Sequence, residues 1–123
     1  MSSGQSNEVS VFRDRSVSYL ELPAIDVARS RQFYSSVFGW RVHDDAFTDG
    51  SGHVIGHWRT DLQAAEDRGI RPYIYATGID AVLAAVKVEG GEVVTPRYLE
   101  GDLWVARFRD PAGNIVGLWE RQN

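Results

Sequence analysis

A strand–helix–strand–strand–strand pattern is written twice in this chain at a spacing of roughly 55 residues. That repetition limits the possible folds more than any single motif does. It sets Tyr19 and Asp26 against Tyr73 and Asp80. In the first copy, residues 16–22 alternate, with Val17, Tyr19 and Glu21 on one face and Ser18, Leu20 and Leu22 on the other. Pro23 closes the strand. Asp26 suits the N-cap of a segment in which Val27, Ser30, Phe33, Tyr34, Val37 and Phe38 recur at helical spacing. Gly39 follows as the residue that ends the helix. Residues 40–44 and 53–59 read as strands, and 46–51 as a short strand or a connection.

The second copy begins with a strand at 72–77. Asp80 is expected to cap a helix through Val82, Leu83, Ala85, Val86 and Val88, which Gly90-Gly91 stops. The helices are therefore expected at about 26–38 and 80–89. A strand at 92–95 and a loop at 96–101 lead to a closing hairpin. Its strands are 103–109 and 115–119, joined by the turn Asp110-Pro111-Ala112-Gly113-Asn114. Pro111 presets φ, Asp110 can hold the turn through its carboxylate, and Gly113 or Asn114 tolerates a positive φ.

Neither copy could bury its sheet face alone. Set edge to edge, they give an α+β fold with one curved sheet, helices on the convex side and a concave face left for a site. With 123 residues the chain has the length of one domain. Residues 1–15 read as a disordered polar tail with no signal-peptide character, and 61–70 as the connection between modules 16–60 and 71–121. Thirteen Lys and Arg against 17 Asp and Glu, with no basic stripe, argue against nucleic acid. The sequence contains no cysteine, which excludes thiol chemistry and fits the cytoplasm. No apolar run approaches the ~20 residues of a membrane span.

Three stretches, in this order and at these distances, resemble the glyoxalase/bleomycin-resistance/extradiol-dioxygenase group, the vicinal oxygen chelate superfamily. They are Leu22…Asp26…Ser30…Phe33-Tyr34…Phe38-Gly39-Trp40, then Pro72-Tyr73-Ile74-Tyr75…Asp80…Gly90-Gly91, then Asp110-Pro111-Ala112-Gly113-Asn114…Gly117-Leu118-Trp119-Glu120. The resemblance covers residues 17 to 120 and implies a single glyoxalase-like domain, 16–123, of two paired βαβββ modules. It says little about reaction, because the superfamily contains isomerases, dioxygenases, thiol transferases and proteins that sequester a drug.

Enzymatic members hold a divalent metal with His and Glu ligands drawn from both modules. Here the first-strand position is Tyr19, the last-strand position is Gly117, and the fifth strand offers Arg71, Pro72 or Tyr73. The resemblance leaves only the fourth-strand position, at His57. His53 and His57 share a face but stand roughly 13 Å apart on one strand, too far for a common ion. A set of His43, His57 and Glu21 is geometrically conceivable. The expectation is no metal and no cofactor.

What the concave face would carry instead is aromatic: Tyr19 and Glu21 from the first strand, Trp58 or His57 from the fourth, and Tyr73 and Tyr75 from the fifth. Trp104 or Arg107 would come from the seventh, depending on its parity, and Ile115, Gly117 and Trp119 from the last. Rings with a few polar groups suit a flat organic molecule, and Gly117 would leave room for it. Glu21 is the candidate catalytic residue. On an apolar wall it would serve as a general acid or base, whereas beside Arg107 or Arg71 it would only satisfy the wall. The expected function is metal-free binding of a small aromatic or hydrophobic molecule by a homodimer. The alternative is a lyase, isomerase or dioxygenase of the same fold, using Glu21 or an atypical metal site.

Overall fold

The computed structural model describes residues 11–122. The tail expected at 1–15 lies outside the described residues up to position 10. The elements follow the order β1 (Tyr19–Pro23), α1 (Val27–Phe38), β2 (Arg41–His43), β3 (Ala46–Thr48), β4 (Ile55–Arg59), β5 (Tyr73–Tyr75), α2 (Ile79–Val88), β6 (Glu92–Glu100), β7 (Leu103–Arg109) and β8 (Ile115–Arg121). The βαβββ pattern thus occurs twice. The sheets have strand orders β1-β4-β3-β2 and β5-β8-β7-β6. In each, the first strand runs parallel to the last and the remaining pairs are antiparallel.

Helix α1 forms where its apolar positions fall every three to four residues. Asp26 accepts from the Ala28 N–H at 3.0 Å, and Gly39 closes the end in the left-handed conformation at φ 70°. Its Phe33 and Tyr34 are fully buried. Tyr34 stacks on Trp40 at 4.5 Å between ring centres, Trp40 on Phe47 at 4.9 Å, and Phe47 lies 4.8 Å from Trp58. Helix α2 buries Ile79, Leu83 and Val86 against the second sheet. Both helices therefore cover the same side of their sheets, the side onto which Leu22, Trp58, Phe108 and Leu118 point. Burying a large apolar side chain contributes about 1.5–3 kcal/mol, so this aromatic layer dominates the core.

Two local expectations are corrected. Asp80 does not cap α2, whose N-cap is Gly78 without a side-chain bond of its own. Glu120 takes that role from β8, accepting from the Gly78 N–H at 3.1 Å. An exposed helix start satisfied by an anion 42 residues away is a tertiary contact that local spacing does not reveal. Residues 96–100 are not a loop either. They continue β6 with register shifts between Val93 and Thr95 and between Thr95 and Tyr98. Because β6 is an edge strand, Pro96 deprives no further strand of a partner.

No strand ladder joins the two sheets. The join is made by the shared core, where Phe33 and Phe38 pack on Phe108, and by hydrogen bonds at the 110–114 turn. Asp110, 3% exposed, accepts from Tyr34 Oη at 2.8 Å and from the Ala112 N–H, the Asn114 N–H and Asn114 Nδ2, each at 2.9 Å. Asn114 Nδ2 also donates to the Pro23 carbonyl at 2.8 Å. Burial pushes the Asp110 carboxyl above its ordinary value, and the bonds from Asn114, Tyr34 and Ala112 oppose that shift.

Asp110→Asn should destabilise the protein by about 3 kcal/mol, because an amide NH2 would then face donors instead of an acceptor. The folded Asp110 carboxyl holds its proton to higher pH than the unfolded one, whose pKa is about 3.9. Its contribution to stability therefore falls as pH rises from there through the raised folded pKa, and levels off above it. Thermal melts of wild type and variant between pH 4 and 7 should show this decline only in the wild type.

Candidate functional site

The strand registers sort the concave faces into rows. In the first sheet, Glu21, His57, Ala46 and His43 form one row, and Tyr19, Ile55, Thr48 and Arg41 the next. In the second, Tyr73, Gly117, Arg107 and Thr95 form one row, and Tyr75, Trp119, Val105 and Tyr98 the next. All expected site residues but Trp104, and Trp58 as the alternative to His57, lie on these two faces. Trp104 shares the opposite parity with Ala106 and Phe108. It packs against the core, with the Arg97 guanidinium 4.0 Å from its ring centre. This settles the parity of β7 in favour of Arg107.

On the first face the polar groups form a connected set. Tyr19 Oη lies 2.6 Å from His57 Nδ1, and His57 Nε2 lies 3.7 Å from Glu21 Oε2. Arg59 Nη1 donates to the same Glu21 oxygen at 3.0 Å and engages Asp61 through Nε at 2.7 Å and Nη2 at 2.6 Å. Arg59 is held charged first by the bond to Asp61 and then by that to Glu21, and its guanidinium draws the Asp61 carboxyl below its ordinary range. Glu21 therefore pairs with Arg59, not with Arg107 or Arg71. Arg71 instead bonds Asp67. Arg59 and Asp61 were missed by the sequence reading. Arg59 stands two residues beyond His57 on one strand, so the period of two would have placed it on this face.

On the second face Tyr73 lies flat across β8. A Cβ built at Gly117 would stand 2.2 Å from Tyr73 Cε2, an impossible approach. Gly117 therefore makes room for the Tyr73 ring, not for a ligand. The ring's hydroxyl in turn accepts from Arg107 Nε at 3.3 Å. That bond raises the Arg107 pKa, against desolvation. One row away, Tyr75 meets Trp119 edge to face at 4.8 Å.

Within one chain these faces are open. Tyr19, Tyr73 and Tyr75 are 51%, 41% and 48% exposed. Between the sheets runs a narrow apolar cleft in two parts. One, of about 130 Å³, is bounded by Leu20, Pro72 and Tyr73. The other, of about 260 Å³, is bounded by Glu21, Ile70 and Ile115. A larger groove of about 740 Å³ lies between Asp61–Glu66 of the connection and the turn at Ala112 and touches none of the expected site residues.

The residues at the family's metal positions do not fit a divalent ion. Two are phenols, which bind well only after losing a proton with a pKa near ~10. Gly117 offers no side chain, and the Tyr73 ring covers it. His43 is separated from His57 by Ala46 and lies 3.4 Å from Asp44, so it does not join His57 and Glu21. Among the described residues, no group of three or more His, Asp or Glu side chains could hold a metal ion. Calorimetric titration with Zn²⁺ and Ni²⁺ should accordingly show no sub-micromolar site. One equivalent bound tightly and lost in His57→Ala and Glu21→Ala would contradict this.

Comparison with known proteins agrees with the fold and the sequence motifs. The family described as Bleomycin resistance protein-like N-terminal matches residues 17–52. CFP32 of Mycobacterium tuberculosis, which carries a provisional glyoxylase name, is 30% identical over 124 aligned positions. These cover 90% of this chain and 48% of CFP32. The chain thus spans about half the length of the curated relatives it matches. A glyoxalase/bleomycin resistance protein from Albidiferax ferrireducens superposes with a TM-score of 0.70 at 22% identity, covering 85% of this chain and 97% of that one. A glyoxalase/bleomycin resistance protein/dioxygenase family enzyme from Burkholderia phytofirmans gives 0.69 at 13% identity over the same shares. With its two βαβββ modules, the chain has the fold of the glyoxalase/bleomycin-resistance proteins, its residues 17–52 match a bleomycin-resistance-protein-like family, and its described residues include no clear cluster of metal ligands.

Proposed function

We propose that this protein binds a small aromatic or hydrophobic organic molecule, without a metal ion, on the concave face of its single glyoxalase-like domain. The observation that carries this reading is the row of Tyr75 and Trp119 beside the Tyr73 ring, half exposed on a sheet face that no helix covers. Aromatic walls supply contact area and hydroxyls supply orientation. The family's bleomycin-resistance name is consistent with such a role.

The cleft within one chain is smaller than the ~300–1,000 Å³ of ordinary ligand sites. A second copy closing over the open tyrosines would enlarge and enclose it, so the protein acts as a homodimer. Light scattering at ~10 µM, where interfaces of standard size hold, should give twice the 13.8 kDa chain mass. A monomer mass would remove this part of the reading.

The binding itself is tested with a neutral aromatic probe, naphthalene-2-carboxamide, followed by tryptophan emission. Saturable quenching should be unaffected by chelator, and Trp119→Ala should weaken it at least about fivefold, the loss of roughly 1 kcal/mol of stacking contact. Loss of binding on chelation would sink the metal-free reading.

One observation favours a second reading, an enzyme. His57 is held at Nδ1 by Tyr19 and faces Glu21 through Nε2, an arrangement able to move a proton. That reading requires turnover of a bound ligand that Glu21→Gln abolishes while binding persists.

A further inference from the structure

The arginines near the two faces differ in what neutralises them. Arg59 meets Glu21 and Asp61, Arg109 meets Glu92, Arg97 meets Asp80 and Arg71 meets Asp67. Among the arginines of these strands that are not exposed, Arg107 is the exception. It is half-buried in the middle of the second concave face, and its hydrogen bond goes to a neutral phenol. Among the described residues no carboxylate oxygen lies within ion-pair distance of it. Its guanidinium thus has one hydrogen-bond partner, a neutral phenol, and donors left over for a ligand. Nothing in the packing requires it, since its face is open and its cross-strand neighbours are Thr95 and Gly117.

Resting on the reading that this face is the ligand site, we propose that the ligand is an aromatic carboxylate. Its carboxylate would be seated on the Nη groups of Arg107, and its ring would lie against Tyr73, Tyr75 and Trp119.

The geometry suits the carboxylate. Tyr73 occupies only Nε of the fork, leaving the two Nη nitrogens to donate side by side, as a carboxylate accepts. The Tyr73 hydroxyl fixes the guanidinium plane, so little rotamer freedom remains to be lost on binding. Gly117 keeps β8 low enough for Tyr73 to reach across it. The rings sit in the same and the adjacent row of the sheet, within reach of a molecule anchored at Arg107. Charge argues for a monoanion. Arg107 is a single cation, and Asp67 already acts on it through space, so a dianionic phosphate would meet too little positive charge.

The test compares naphthalene-2-carboxylate with naphthalene-2-carboxamide, a neutral probe of the same shape, by calorimetry on the full chain. Wild type should bind the acid at least about tenfold more tightly than the amide, a difference of about 1.4 kcal/mol. Arg107→Gln should abolish that preference by bringing the acid's affinity down to that of the amide, with a melting curve confirming that the variant is folded. Arg107→Lys should keep part of the preference, because it retains the charge but not the fork. Equal binding of acid and amide by wild type overturns this inference while the ligand site stands. A preference that survives in Arg107→Gln also overturns it. Failure of both probes to bind wild type overturns both this inference and the reading on which it rests.

Discussion

The structure depends on one buried carboxylate. Asp110 collects a phenol from α1, two backbone N–H groups of its own turn and the Asn114 amide. Through Tyr34 it ties the first module's helix to the second module's last hairpin, 76 residues apart in the chain. A hydrogen bond to a charged acceptor contributes about 1.5–3 kcal/mol net, and here several converge where no strand ladder links the sheets. Were they lost, Asn114 would also release the Pro23 carbonyl, and β1 would no longer be fixed against β8. This turn and the packing of Phe33 and Phe38 on Phe108 together hold the two modules to one another.

Those faces carry different chemistry. The first is a connected polar set, in which Arg59 is paired with Glu21 and Asp61 and His57 is hydrogen-bonded to Tyr19. Such a wall is already satisfied and gains little by meeting a charged ligand. The second is aromatic with one unbalanced cation. Its unused donors give an incoming carboxylate a charge-assisted partner. The asymmetry follows from small choices. A glycine at 117 lets a tyrosine lie down, and the tyrosine then orients the arginine two strands away.

Much of this was legible in the sequence. The periods of two and 3.6 placed both helices within a residue or two of their observed bounds, because side-chain direction in a strand or helix is fixed by the local backbone. The same alternation put Tyr19, Glu21, Tyr73, Tyr75, Ile115, Gly117 and Trp119 on one side. It left two choices open, Trp58 or His57 in β4 and Trp104 or Arg107 in β7, and the core takes Trp58 and Trp104. Alternation fixes which residues share a face but not which face the core takes, and in β7 both parities contain apolar residues.

The sequence by itself determined the repeated module, the helix that Asp26 starts and Gly39 ends, and the turn at 110–114. Each is set by residues within a few positions of one another, through backbone conformation and local hydrogen bonds. Only the tertiary structure decided that Glu120 and not Asp80 satisfies the start of α2, that Glu21 belongs to Arg59, and that the space above Gly117 is filled by Tyr73. These contacts cross from 38 to 44 positions of chain. Partners so far apart are chosen by sheet register and by which buried groups lack a partner, and no local period encodes either.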